Sequence, residues 1–416
     1  SSMLSEVYII AQSDLFELFY LYDDNGNITY YRLLGPESLG GISSWVTGQA
    51  LLEETYYHYD SANQLIREDN CRTGITTVWE YDDAGNIITY YEYPYRWPHQ
   101  SANPQEANIE RHITYGDSAW GDLLTAYNGV QWSYDQIGNL TDDGTWTYTW
   151  RNGRELASMT SGSTTWTYTY DANGMRTSRS NGSTTYSYVY NDSQLTQMTV
   201  GNNTLYFTYG VNGPTTVTWN GTTYYYAANG LGDVIGIFDG SGNCVVAYNW
   251  DNAWGGNPAP KGTLASTLGQ LNPLRYRSYV YDTETGLYYV SSRYYDPEIG
   301  RWINADNQIA GVGGELLGYN MFAYCMNNPV NMSDPTGSWP KWIETAANWV
   351  NENIIQPVKN FFSPSSAVAA TANNLPPTRF FTKAFSAESR LKFLLVFSIK
   401  TSYCFWLVAF NTSKAY

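Results

Sequence analysis

The chain has 416 residues, among them 39 Tyr, 36 Gly and 16 Trp, and aromatics make up 17% against only 14% for charged residues. Soluble domains carry roughly 25% charged residues, so the composition excludes a coiled coil, a disordered acidic chain and a helical enzyme rich in Ala, Leu, Glu and Lys. The net charge of −16 repels phosphate backbones and argues against nucleic acid as a partner of the main body of the chain.

The first residues, SSMLSEVYII, show no charged region followed by a long apolar run, so no signal peptide is read there, and the start reads as the interior of a longer chain. A six-residue unit then recurs: Tyr, Asp, two variable residues, Gly, and usually Asn. It stands at Tyr22-Asp23 with Gly26-Asn27, at Tyr81-Asp82 with Gly85-Asn86, and at Tyr134-Asp135 with Gly138-Asn139. Looser copies begin at Tyr59, Tyr170, Tyr281 and Tyr295. The spacing is irregular, which fits a repeat with variable inserts rather than a fixed-period solenoid.

Residues before these units alternate strictly. Trp166, Tyr168 and Tyr170 fall on one face and Thr165, Thr167 and Thr169 on the other; Trp146, Tyr148 and Trp150 repeat the pattern, as do Tyr186, Tyr188 and Tyr190. Period 2 predicts β-strands with an aromatic face. The following Asp-x-x-Gly-Asn predicts a tight hairpin loop, with Asp bonding its own backbone and Gly supplying a positive φ. Each unit is therefore expected to be strand, turn, strand. Asp23, Asn25 and Asn27 also stand at the first, third and fifth positions of a calcium loop. The Gly and Glu that such a loop needs further on are missing, so the turn reading is preferred.

Cys71, Cys244, Cys325 and Cys404 form no CxxC pair, and the three histidines (His58, His99, His112) form no HExxH motif. Neither a disulfide framework nor a metal or cofactor site is expected. The character of the chain changes near residue 338, since all 36 Gly lie at or before Gly337. Residues 339–363 carry Trp342, Ala346, Trp349, Val350, Ile354 and Val358 at helical spacing, which predicts a short amphipathic helix. A linker follows over 363–377. Residues 364–416 form a Phe-rich tail with six basic residues and one acidic, a net of +5 against −21 for residues 1–363. Within it, 391–410 is long enough to span a membrane, but Lys392 and Lys400 interrupt it. A membrane contact, a buried or chaperoned segment and a degenerate end are all compatible with that stretch.

The segment 272–338 carries a more specific pattern. It holds Gly286 to Tyr289, Arg293 to Pro297, Gly300-Arg301-Trp302, Asn327 to Asn331 and Asp334 to Gly337. With the upstream units, this resembles the RHS/YD-repeat family over roughly residues 20–338, and 272–338 looks like the RHS repeat-associated core. The resemblance implies an all-β fold in which successive antiparallel hairpins (1–271) form a long spiralling sheet, a partial hollow shell. The core would plug it, and a short helix and a tail of no assigned fold would follow. It also implies a variable segment after DPxG, often a toxin, held inside the shell as cargo.

The resemblance also implies an intrinsic self-cleavage in some members, just after DPxGL, where two aspartates and an arginine act. The matching positions are taken as Arg301, Asp306 and Asp334. Two carboxylates held close can share a proton, one activating water while the other protonates the leaving group, and Arg301 could steady an oxyanion. This sequence departs from the pattern at Asn307 and at Ser338, where the family has Pro and Leu.

Three functions follow as expectations. The first is a secreted or cell-surface shell of polymorphic-toxin or wall-associated type, enclosing or displaying its own C-terminal segment. The second is a cell-wall or carbohydrate-binding module that stacks sugars on exposed Tyr and Trp. The third, compatible with the first, is an enzyme only in the sense of intramolecular self-cleavage after DPTG.

Overall fold

The computed structural model describes residues 3–11, 14–36, 42–43, 49–117, 120–211, 213–256, 259–306, 319–338, 341–342, 393–396 and 407–410. Its strands form two large antiparallel sheets that follow the chain almost without crossover. Eleven strands between Met3 and Gln131 make the first, and fourteen between Ser133 and Lys261 the second. A four-stranded sheet follows, from Val280–Asp282 through Leu287–Val290 and Arg293–Asp296 to Arg301–Trp302. The meander follows from the sequence: each short turn joins neighbouring antiparallel strands.

The turn has one recurring geometry. In the first unit the Asp23 carboxylate accepts the N–H of Asn25 (2.9 Å) and of Asn27 (2.8 Å), and the Asn27 amide donates back to its second oxygen (3.0 Å). Asp82 and Asp135 hold Asn86 and Asn139 in the same way. Gly26 takes a φ of 87° to close the loop, a region that L side chains rarely enter. The pairing register slips by one residue at the unit's Tyr, as between Leu21 and Tyr22 or Glu80 and Tyr81. That slip is a β-bulge, which fits the turn to the strand twist.

The Tyr itself ties one unit to the one before it. Tyr59 Oη donates to Ile28 O (2.7 Å) and Tyr81 to Leu65 O (2.6 Å), and Tyr115, which stands outside the Tyr-Asp units, donates likewise to Ile87 O (3.0 Å), each time at the residue following the previous turn. Trp150 Nε1 does the same to Leu140 O (2.6 Å). A phenylalanine would pack there but would leave a buried carbonyl without its donor.

The turn also occurs where the sequence reading did not place it. Asn229 accepts from the N–H groups of Leu231 and Asp233, Asp239 from Ser241 and Asn243, and Asn252 from Trp254 and Gly256. The first two follow Ala228 and Phe238 in place of Tyr, and the third follows Asp251, so the Tyr-Asp signature was absent while the capping chemistry persisted.

Aromatic faces point inward. Trp166, Tyr168, Tyr148 and Tyr188 are buried, so this face forms no exposed platform for stacking sugars. Tyrosines of the core region reach the loop between the last two strands of the second sheet: Tyr276 Oη to Ala253 O, Tyr295 to Trp254 O and Tyr288 to Gly255 O, each 2.9 Å. A buried ion pair adds to the contact. Arg176 Nη1 and Nη2 meet the two oxygens of Asp282 at 2.5 and 2.8 Å, with the guanidinium 4.4 Å from the centre of the Tyr289 ring.

Of the helix expected over 339–363, Lys341–Trp342 is instead a short strand paired with Met332–Ser333, and the remainder lies outside the described residues. In 391–410, Phe393–Val396 and Leu407–Phe410 pair as antiparallel strands rather than lying in one helix. No helix among the described residues is long and apolar enough to cross a membrane.

Two tests follow. Arg176→Met leaves the Asp282 carboxylate with Arg179 Nε, 3.3 Å away, as its remaining buried cation; removing the sole partner of a buried pair costs about 3–5 kcal/mol, so urea unfolding should show a smaller loss, and the full one when Arg179 is replaced as well. The second concerns pH. Burial raises Glu68 to about 8 and Glu53 to about 7, with Arg72 pulling against both, and it raises Asp296 to about 7 beside Glu298. Acids that hold their proton more tightly when folded stabilise the fold below their unfolded range near 4.5, and this stability is lost as pH rises towards 8. The melting temperature should therefore fall across that window, and Glu68→Gln should flatten the fall and melt higher than the parent at its alkaline end.

Candidate functional site

The core strands continue into a segment that crosses the turns of the first sheet, and the asparagines of those turns receive it. Asn328 Nδ2 donates to Asn27 Oδ1 (3.0 Å), Asn327 Nδ2 to Gln64 Oε1 (2.9 Å), and Asn320 Nδ2 to Asn86 Oδ1 (2.8 Å). Asn331 accepts the Ile28 N–H (2.8 Å) and donates to the Tyr59 hydroxyl (3.0 Å). At the first turn of the second sheet, backbone bonds join Ala305 N to Gly138 O and Leu140 N to Ile303 O. The asparagine of the repeat thus closes its own turn and also docks the core.

This docking brings two of the three expected site residues together. Asp306 and Asp334 are both buried. Their Oδ2 atoms lie 2.9 and 3.1 Å from a single atom, Nη2 of Arg293. Arg293 Nη1 reaches Met321 O (3.1 Å), and Nε donates to the carbonyl oxygen of Gly337. Its guanidinium also stacks over Trp302, 4.1 Å from the ring centre. Burial pulls the guanidinium below the usual arginine range, against the attraction of Asp306 and Asp334. Arg154 adds a second positive charge that interacts with Asp306.

The third expected residue is elsewhere. Arg301 Nη1 donates to Asn86 Oδ1 (2.9 Å) and Tyr115 Oη (2.8 Å), and Nη2 to Asp122 O (3.0 Å). It braces the core against the first sheet, and Arg293 occupies the position between the carboxylates that Arg301 was expected to fill. Strand pairing separates the two arginines. Arg293 pairs with Val290 and Arg301 with Asp296, so they enter the core at opposite ends of one short strand.

The turn Asp334–Gly337 is closed by Gly337 N to Asp334 O (3.3 Å). Its last peptide bond is held from three directions. Arg293 Nε and Ser292 Oγ (2.9 Å) contact the Gly337 carbonyl oxygen, and the Ser338 N–H donates to Asp334 Oδ1 (3.1 Å). Gly337 is required here: its φ is 68°, and a Cβ would fall 2.3 Å from Val290 O. Donors on the carbonyl oxygen and a carboxyl on the amide nitrogen are the groups that acyl transfer at this bond needs. Sequence reasoning missed Ser292, Arg293 and Ser338 as site residues. Arg293 stood in a quoted motif, but the motif alone does not show which arginine meets the aspartates.

A separate cavity of about 930 Å³ is lined by residues of both sheets and the core, among them Trp79, Tyr90, Trp132, Trp146, Asp251 and Glu298. It does not include the Arg293 site. Among the described residues, no group of three His, Cys, Asp or Glu side chains is placed to hold a metal ion.

Comparison with known proteins agrees with this architecture. The chain is 32% identical over 334 residues to the tRNA nuclease WapA of Bacillus subtilis, a match covering 78% of this chain and 14% of that protein. It is 45% identical over 65 residues to the toxin protein Tse5 of Pseudomonas aeruginosa, covering 16% of this chain and 5% of that one. The chain thus spans only about a seventh of its WapA relative. Among solved structures, TcdB2–TccC3 without its hypervariable C-terminal region superposes with a TM-score of 0.59 at 19% identity, over 80% of this chain and 17% of that one, which shows a shared fold. The Teneurin YD-shell family profile matches residues 38–330, and the chain belongs to that YD-shell family.

Proposed function

We propose that the chain is part of a toxin-related shell protein that encloses the segment following Gly337, acts outside the cell that makes it, and cuts the Gly337–Ser338 bond itself. The observation that carries the cleavage reading is the triple hold on that bond by Arg293, Ser292 and Asp334, with Asp306 on the same guanidinium nitrogen. The kinship with WapA and Tse5 supports the toxin relation. The fold shared with TcdB2–TccC3 supports the enclosure reading.

The chemistry is acyl transfer. As a nucleophile adds to the Gly337 carbonyl carbon, negative charge grows on an oxygen already facing Arg293 Nε and Ser292 Oγ. Such preorganised donors are worth about 10²–10³ in rate. Asp334 lies on the amide N–H and is placed to protonate the Ser338 nitrogen as the C–N bond breaks. Asp306 keeps Arg293 in position and gives the site its second carboxyl.

Intact-mass measurement of the purified chain should find new ends at Gly337 and Ser338. Asp334→Asn, Asp306→Asn and Arg293→Gln should each lower the cleavage rate by about 100-fold or more. Arg301→Gln should instead lower the melting temperature while cleavage continues below it. Loss of cleavage in the Arg301 variant with retention in the Arg293 variant would reverse the assignment. An uncut chain under all conditions would remove the self-cleavage reading.

A further inference from the structure

We propose that the cavity of about 930 Å³ between the two sheets and the core is a binding site for a short neutral oligosaccharide. Its volume falls within the ~300–1,000 Å³ of small-molecule sites. The cavity includes neither Arg293 nor the Gly337–Ser338 bond, so this inference stands apart from the cleavage reading.

The walls supply flat apolar faces. Trp79, Tyr90 and Trp254 are buried in them, whereas Trp132 and Trp146 are only half-buried and retain exposed ring surface. Trp146 is fixed by its own turn: the Asp143 carboxylate accepts the N–H groups of Thr145 (2.7 Å) and Trp146 (2.6 Å) and the Tyr148 hydroxyl (2.5 Å). The Trp132 ring lies 6.2 Å from that of Tyr127. The C–H face of a sugar ring packs on an indole of this kind, while the sugar hydroxyls at its edge stay free to bond.

Polar groups of both kinds surround these faces. Glu92 and Asp251 make no side-chain hydrogen bond among the described residues, and they act on the same space: burial raises the Glu92 carboxyl, Arg111 draws it back, and Asp251 raises it further. Glu298 ends a chain in which Arg111 Nε donates to Tyr90 Oη (3.1 Å), the Tyr90 and Tyr127 hydroxyls lie 3.1 Å apart, and Tyr127 Oη donates to Glu298 Oε1 (3.4 Å). Two donors in the wall are orphaned. The indole N–H of Trp254, a side chain 2% exposed, and the buried Nε of Arg72 have no partner. Buried donors left in this state are costly, and a ligand that accepts from them removes the cost.

Chemistry narrows the ligand. Asp143 is engaged in its turn, and Asp296 accepts the Glu298 N–H (2.9 Å). Glu92, Asp251 and Glu298 then stand against the guanidiniums of Arg72 and Arg111, which is close to charge balance. An apolar ligand would strip water from the carboxylates and put nothing in its place. A cation would satisfy them but leave the Trp254 and Arg72 donors unmatched, and an anion would do the reverse. A hydroxyl both donates and accepts, so a polyol with an apolar C–H face meets all of these groups.

The test uses the full chain and three soluble neutral probes, cellohexaose, chitohexaose and maltohexaose, followed by calorimetry and tryptophan fluorescence. At least one should bind at a single site, change the tryptophan emission and show little dependence on salt. Asp251→Asn and Glu92→Gln should each weaken that binding about tenfold or more, with melting temperatures no lower than the parent's. Trp146→Ala should remove most of the fluorescence change. Binding that survives both carboxylate variants unchanged would put the sugar elsewhere and overturn the proposal, as would failure of all three probes to bind at millimolar concentration. Spermine serves as the charged control. If it binds in place of the sugars and is released by high salt, the cavity takes a cation and the saccharide assignment falls.

Discussion

The asparagines that close two turns of the first sheet, Asn27 and Asn86, are buried, and each gives only one of its amide protons to its own turn, Asn27 to Asp23 and Asn86 to Asp82. The amide oxygen remains, and a buried acceptor left without a partner costs about 1–3 kcal/mol. The core supplies the donors: Asn328 and Asn331 at Asn27, and Asn320 and Arg301 at Asn86. Asn243, in a turn that the core does not cross, is exposed and bonds Asp239. The same turn chemistry thus has two uses, and only where the core passes is the asparagine buried.

From that docking the site follows. Asn320 fixes the segment whose Met321 carbonyl receives Arg293, and Asn331 sits three residues before Asp334. Arg293 then gathers Asp306, Asp334 and the Gly337 carbonyl around one guanidinium. A site built this way depends on the shell being closed against the core, because the residues that align the bond touch no single continuous strand. The tyrosine excess has the same origin. Its hydroxyls join repeat to repeat and core to second sheet through backbone carbonyls, contacts a purely apolar ring could not make.

Much of the fold was legible in the sequence, because period 2 and the Asp-x-x-Gly turn are local signals. Trp166 and Tyr168 read as one strand face and prove to share the buried one. Turns at Asn229, Asp239 and Asn252 escaped because the tyrosine was absent, although Asn can cap as Asp does. Asp306 and Asp334 were found through their motif, but the arginine between them was not. Arg293 and Arg301 are chemically alike and eight residues apart in the sequence. Only the pairing of Arg293 with Val290, beside Gly337, decides between them. Ser292 was invisible for a similar reason, since its partners lie more than forty residues away.

Docking through the turn asparagines is tested most directly by amide hydrogen exchange in a chain carrying Asn27→Ala and Asn86→Ala. The expected result is loss of protection across 320–334, with the strands Asp14–Tyr22 and Ile28–Pro36 still protected. Unchanged protection across 320–334 would contradict the view that these asparagines hold the core, and with it the route by which Arg293 reaches the Gly337–Ser338 bond.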